Sequence, residues 1–221
     1  MKNIITGILL ILLVNIVYSN QVFYGNLTKV ELLKTEQAVL LENDGFDRFV
    51  KLGYIYHFLS QNGEKFPDKS IDYFNKALQI KNDYNARAYL GSSYTIKGKQ
   101  SENVFDKINF VNKGTSIMDS VYKDHPDDFQ IALLIIANSL ELPNIIFGRY
   151  KIADEIINKF LKIQNTLSKD DQSDLHYYKG YLYYKNNKKN TAFDIWSKVI
   201  KDYPDTNGAK KAKLSLNKEG A

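Results

Sequence analysis

Between Asp174 and Asp205 the chain places Gly180, then Tyr183 three residues on, Ala192 twelve on, Trp196 sixteen on, Val199 nineteen on and Pro204 twenty-four on. This spacing confines the segment to a pair of antiparallel helices. Small Gly180 and Ala192 let the two backbones come close, Tyr183 and Trp196 fill the space beside that contact, and Pro204 stops the second helix because its ring cannot continue the hydrogen-bond ladder.

The same frame fits three earlier stretches, each with extra residues in its turn. Phe49, Leu52, Gly53 and Tyr56 are followed by Ser70, Phe74 and Ala77; Arg87, Leu90, Gly91 and Tyr94 are followed, after a long insertion around residues 98–109, by Gly114, Met118, Val121 and Pro126. A degenerate unit has Leu133, Ile136, Ala137 and Leu140, then Ala153, Ile157 and Phe160, with Pro143 ending its first helix and Ile145 to Phe147 filling the turn. The spacing resembles the tetratricopeptide repeat, over about residues 46–204 and most closely at the C-terminal end. The resemblance implies an all-α superhelix of four hairpins whose concave face binds a protein or peptide. The last unit also looks like repeats of exported bacterial proteins that assist envelope assembly, many of which carry a lipid anchor. It transfers no ligand.

Apolar residues recur at helical spacing throughout, and no stretch alternates long enough for a strand. Leu27, Val30, Leu33, Leu40 and Leu41 predict a cap helix ahead of the first hairpin, and Ala209, Ala212, Leu214 and Leu216 a short basic helix over the last one. Terminal repeats need such covers because they would otherwise expose a core face. The expected organisation is therefore residues 1–19, 20–45 (N-terminal cap), 46–205 (four hairpins) and 206–221 (C-terminal cap and tail).

Residues 1–19 read as an address. Lys2 precedes an apolar run from Ile4 to Val17, and Val17-Tyr18-Ser19 fits a signal-peptidase site with cleavage after Ser19. The rival reading is a retained membrane anchor, for which the run, broken by Thr6 and Asn15, is short. Export predicts a periplasmic or extracellular protein with no membrane span after cleavage. There is no cysteine, which removes disulfides, thiolate metal sites, a Cys nucleophile and a lipidated N-terminal Cys.

Aromatic residues make up 13% of the sequence, sixteen of them Tyr, so the chain has the apolar bulk to fold. Thirty basic and 25 acidic residues are mixed along it, and the expected partners do not include nucleic acid. The denser basic stretches, Lys185, Lys188 and Lys189, then Lys210, Lys211 and Lys213, read as solvated helix ends in preference to a phosphate or anionic-lipid contact.

Residues that could carry chemistry have simpler explanations. His57, His125 and His176 include no pair at metal-binding helical spacing, and no cofactor is implied. Gly98-Lys99 lacks the earlier glycine and the following Ser or Thr of a phosphate loop, and Gly91-Ser92-Ser93 lacks the second glycine of a nucleophile elbow. The pairs Asp127-Asp128 and Asp170-Asp171 fall where carboxylates cap helices. Glu141, after a very apolar stretch, is the one carboxylate whose burial would suggest acid chemistry.

The expected function is a non-enzymatic scaffold or adaptor. Tyr177, Tyr181 and Tyr184 share one helix face with Asp174 and Lys185 beside them, and Tyr54, His57, Asn85, Ser92, Thr95 and Asn138 are expected to line the same concave side. The rings could instead fill space between neighbouring hairpins or the C-terminal cap. Two other classes stay open: a small-ligand carrier serving a transporter, with Ile145 to Phe147 as a lid, and an enzyme acting on wall polymers through Glu141.

Overall fold

A computed structural model describes residues 24–219. The expected signal sequence and its cleavage site lie outside the described residues. Among those residues the chain is all-α: α1 (Lys29–Val39), α2 (Phe46–Gln61), α3 (Pro67–Ile80), α4 (Tyr84–Gln100), α5 (Val104–Asp124), α6 (Phe129–Glu141), α7 (Asn144–Phe147), α8 (Tyr150–Lys162), α9 (Lys169–Lys185), α10 (Lys189–Asp202) and α11 (Asn207–Glu219), with a 3-10 turn at Gln164–Thr166. The chain divides into two compact units, residues 1–118 and 119–221, and the division falls inside α5.

Polar residues set the helix starts. Thr28 and Glu31 form a reciprocal capping box on α1, Asp83 and Asp128 accept backbone N–H groups of α4 and α6, and Ser168 caps α9. Each satisfies donors that a first helical turn leaves open. Asp128 thus caps as expected, whereas Asp170 and Asp171 lie in the first turn of α9, where their charge favours the positive helix end.

In the first unit α2 packs on α3 and α4, and α1 packs on α2. Close helix pairing rests on glycine. A Cβ on Gly53 would stand 2.7 Å from the Phe74 ring, and one on Gly114 would stand 2.3 Å from the Gly91 carbonyl oxygen. In the second unit a Cβ on Gly180 would meet the Trp196 ring at 2.6 Å. Three small-against-large or small-against-small contacts thus join α2 to α3, α4 to α5 and α9 to α10, at the residues the spacing singles out.

Three expectations change. The long insertion around residues 98–109 is not a loop: α4 runs on to Gln100 and α5 begins at Val104, so the extra residues lengthen both helices. Gly98 makes this possible, since it sits against the Lys107 carbonyl and Val111. The first cap helix buries Leu32 and Val39, leaving Val30, Leu33 and Leu41 exposed. Tyr56 with Glu36, and Lys29 with Glu64, tie that helix down on its polar side and fix its rotation. In α11 the buried residues are Ala209 and Ala212, with Leu216 packed beside them and Leu214 exposed.

The second unit contains α6 against α8 and the three mutually packed helices α9, α10 and α11. Ile145 to Phe147 form the single turn α7 rather than a filler: Ile145 is 97% exposed. Its exit is braced. Gly148 takes the left-handed conformation, and buried Arg149 donates twice to Asp119 (2.6 and 2.7 Å) and once to Ser139 (3.3 Å).

Candidate functional site

Helix α9 gathers the densest set of chemically distinctive side chains. Ser168 and the two acids behind it start the helix, Lys185 suits its negative end, and the intervening spacing sets Asp174, Tyr177, Tyr178, Tyr181 and Tyr184 along adjoining rows of its surface. The floor is Trp196 of α10, whose indole N–H donates to the Tyr177 carbonyl at 3.1 Å.

On this floor the tyrosine rings form a staircase. Tyr177 and Tyr181 are 6.0 Å apart and inclined by 10°, and Tyr181 and Tyr184 are 6.2 Å apart and inclined by 7°. Tyr177 stacks on Trp196 and Tyr184 leans on it at 35°. Tyr178 meets Tyr177 edge to face at 5.0 Å. All four rings are half-buried.

Polar groups rim the staircase. The Tyr181 hydroxyl donates to Glu141 at 2.7 Å, and the Tyr177 hydroxyl lies 3.3 Å from Ser215 Oγ. Lys211 donates to Asp174 at 2.9 Å while standing over the Tyr177 and Tyr178 rings, and Lys185 and Lys189 stand over Tyr181 and Tyr184. Burial pushes the Asp174 carboxyl above its ordinary range, and the Lys211 charge works against that shift. Burial, with the hydrogen bond to Glu141, likewise raises the Tyr181 phenol. The Tyr181 hydroxyl therefore stays protonated and donates. The rings thus bridge α9 to α6 through Glu141 and to α11 through Ser215, and each stays half-buried rather than enclosed.

Of the residues expected to line one side, Asp174, Tyr177, Tyr181, Tyr184 and Lys185 lie together on α9. Those of the first unit do not form an open surface. Tyr54, His57, Ser92 and Thr95 are buried, and Asn85 is half-buried. Tyr54 stacks on Tyr24 at 5.8 Å and meets Tyr89 edge-on at 4.7 Å. Thr95 donates to the Ser92 carbonyl at 2.7 Å. In the second unit Asn138 is half-buried and donates to the Leu134 carbonyl at 3.0 Å. The physical reason is that α2 packs on α1, α3 and α4, and α4 on α2, α3 and α5, so a stripe left open by one neighbour is covered by another.

His57 has a hydroxyl beside it, with Nδ1 3.1 Å from Ser93 Oγ, and Ser93 in turn 2.8 Å from Ser70 Oγ. This is not a nucleophile–base pair open to substrate. His57 is 1% exposed, Ser70 and Ser93 are fully buried, and both hydroxyls donate to backbone carbonyls, of Gly53 and Tyr89 respectively. Burial lowers the His57 pKa to about 3, keeping the ring neutral.

Sequence reading missed Tyr178, Lys211 and Ser215 as members of the α9 surface, and, while favouring helix-end exposure of Glu141, did not foresee it as the partner of Tyr181. Glu141 is exposed, so the apolar enclosure that acid chemistry called for is absent around it. Among the described residues no group of three or more His, Asp or Glu side chains is placed to hold a metal ion, and no helix is long and apolar enough to cross a membrane. No family model matches the chain, and comparisons with characterised proteins and with solved structures return no match.

Proposed function

We propose that this chain is an exported, tetratricopeptide-like helical scaffold that holds a protein or peptide segment against the α9 tyrosine surface. The observation that carries the reading is the staircase of Tyr177, Tyr181 and Tyr184 on a Trp196 floor, edged by lysines and carboxylates. Such a surface suits peptide capture. Tyrosine offers broad apolar area at low entropic cost, and its hydroxyl keeps a partner in water, so a few aromatic anchors can dominate binding energy. The repeated glycine contacts joining α2 to α3, α4 to α5 and α9 to α10 support the repeat assignment, because each would exclude a larger residue at the frame position expected to be small.

The test is site-specific photo-crosslinking in the native envelope. A benzophenone side chain replacing Tyr181 is expected to yield a discrete adduct, and the same group replacing exposed Ser197 is not. Lys185→Glu should lower the Tyr181 adduct severalfold without shifting the unfolding midpoint, because Lys185 stands over that ring with its Nζ 5.6 Å from the centroid. Absence of any adduct at position 181, or equal adducts from both positions, would remove the α9 surface as the binding face.

A further inference from the structure

The formal charge is unevenly placed. Residues 175–221 hold ten lysines and four acidic residues, a charge of +6, whereas everything before them sums to −1. Such an asymmetry between parts of one chain points to a large anionic partner. Helix α11 concentrates it: it carries four lysines and a single acidic residue, Glu219 at its last position.

The lysines of α11 divide by face. Lys211 turns inward to Asp174. Lys210, Lys213, Leu214, Asn217 and Lys218 recur at spacings of three and four, and all are exposed, so they form one outward stripe opposite buried Ala209 and Ala212. Some lysines elsewhere are paired, as Lys51 is with Glu42, Lys97 with Asp68 and Lys159 with Asp127. Among the described residues Lys210, Lys213 and Lys218 have no ion-pair partner. The stripe also sets an apolar side chain, Leu214, 65% exposed, among those three charges.

We propose that the outward face of α11 docks on an anionic phospholipid surface, with Lys210, Lys213 and Lys218 toward headgroup phosphates and Leu214 entering the headgroup boundary. Composition favours a lipid surface over an acidic protein. Protein interfaces are enriched in Arg and aromatic residues and depleted in Lys, whereas this stripe has neither Arg nor an aromatic ring, and the chain has no Arg after Arg149. Lysine is a point charge on a mobile stem, which suits a fluid layer of phosphates that demands no fixed geometry. A basic helix face with a single apolar residue gives peripheral, reversible attachment, and needs no spanning segment.

The experiment is co-sedimentation of the full chain with vesicles of phosphatidylcholine alone or with about 30 mol% phosphatidylglycerol added, a fraction at which each nearby lysine contributes measurably. Any binding through the apolar N-terminal run contributes to both, so the readout is the difference. At least about tenfold tighter binding to the anionic vesicles is expected, weakening as salt is raised from about 0.1 to 0.5 M. The triple variant Lys210→Glu, Lys213→Glu, Lys218→Glu should abolish the difference, and Leu214→Ala should reduce it. A control with the same charge change on exposed residues of other helices and loops, Lys34→Glu, Lys65→Glu and Lys123→Glu, should retain it. Equal binding to both vesicles overturns the proposal, as does equal loss in the control. Loss of crosslinked partner in the α11 variant without any vesicle preference would assign the face to an acidic protein instead.

Discussion

His57 shows how a single side chain sets a pH limit on this fold. Its ring lies between Tyr89 and Phe58 with Ser93 on Nδ1, and burial holds its pKa at about 3 against an ordinary value of 6.5. The unfolded chain therefore binds a proton that the folded one refuses, between pH 6.5 and about 3. The stabilising contribution is complete above pH 6.5 and is lost as pH falls toward 3. By pH 5 the loss amounts to about 2 kcal/mol. Urea unfolding at pH 7 and pH 5 should show that drop, and His57→Gln, which keeps a polar contact to Ser93 without the titration, should remove most of it. Half-buried His176, whose pKa is also lowered by burial, contributes a smaller slope of the same sign. A His57→Gln chain with an undiminished pH slope would show that other groups govern acid stability. The residue's burial was not legible in the sequence, because it depends on α4 arriving beside α2 to supply Tyr89 and Ser93.

At the scale of elements, what was legible is what is local. Gly180 and Trp196, sixteen residues apart in one hairpin, meet as the spacing requires, and the same holds for Gly53 with Phe74. The Gly91–Gly114 contact is the tightest, since a Cβ at position 114 would lie 2.3 Å from a backbone oxygen that cannot rotate aside. Gly114→Ala must part α4 from α5 and should cost on the order of 2 kcal/mol. Gly180→Leu should cost about 1–3 kcal/mol through overpacking on Trp196. Gly45, with nothing within 4 Å of an added Cβ, should tolerate Ala with little change. Denaturant midpoints of the three variants check the order, and equal midpoints would mean that the hairpins do not depend on close approach. What could not be read locally was rotation. In α1 the apolar residues occupy more than one face, and the polar contacts of Lys29 and Glu36 to α2 and its following turn select Leu32 and Val39 as the buried pair. The α9 surface has the same history. Its tyrosines announce themselves by spacing, but Lys211 and Ser215 join them only because Gly208 lets α11 lie directly on Ser173.

For the whole molecule, the burial of Tyr24 bears on how the N-terminal segment is anchored. Tyr24 is 2% exposed and stacked on Tyr54, and Gly25 rests beside the Phe58 ring, so this part of the expected N-terminal cap is core rather than a loose lead-in. Cleavage after Ser19 would keep Tyr24 in the mature chain. Mass measurement of chain recovered from the exported fraction is accordingly expected to give a start at Asn20. Stability supplies the stricter check, since removing a buried aromatic side chain leaves a cavity and costs about 3–5 kcal/mol. A chain beginning at Asn20 and one beginning at Gly25 should therefore differ by several kcal/mol in urea, with Tyr24→Ala matching the shorter chain and Tyr24→Phe the longer. The Tyr24→Phe result separates the ring from its hydroxyl, whose ionisation burial already opposes. If the two chains unfold at the same urea concentration, Tyr24 does not anchor the N-terminal segment, and the folded domain begins at or after the α1 capping box.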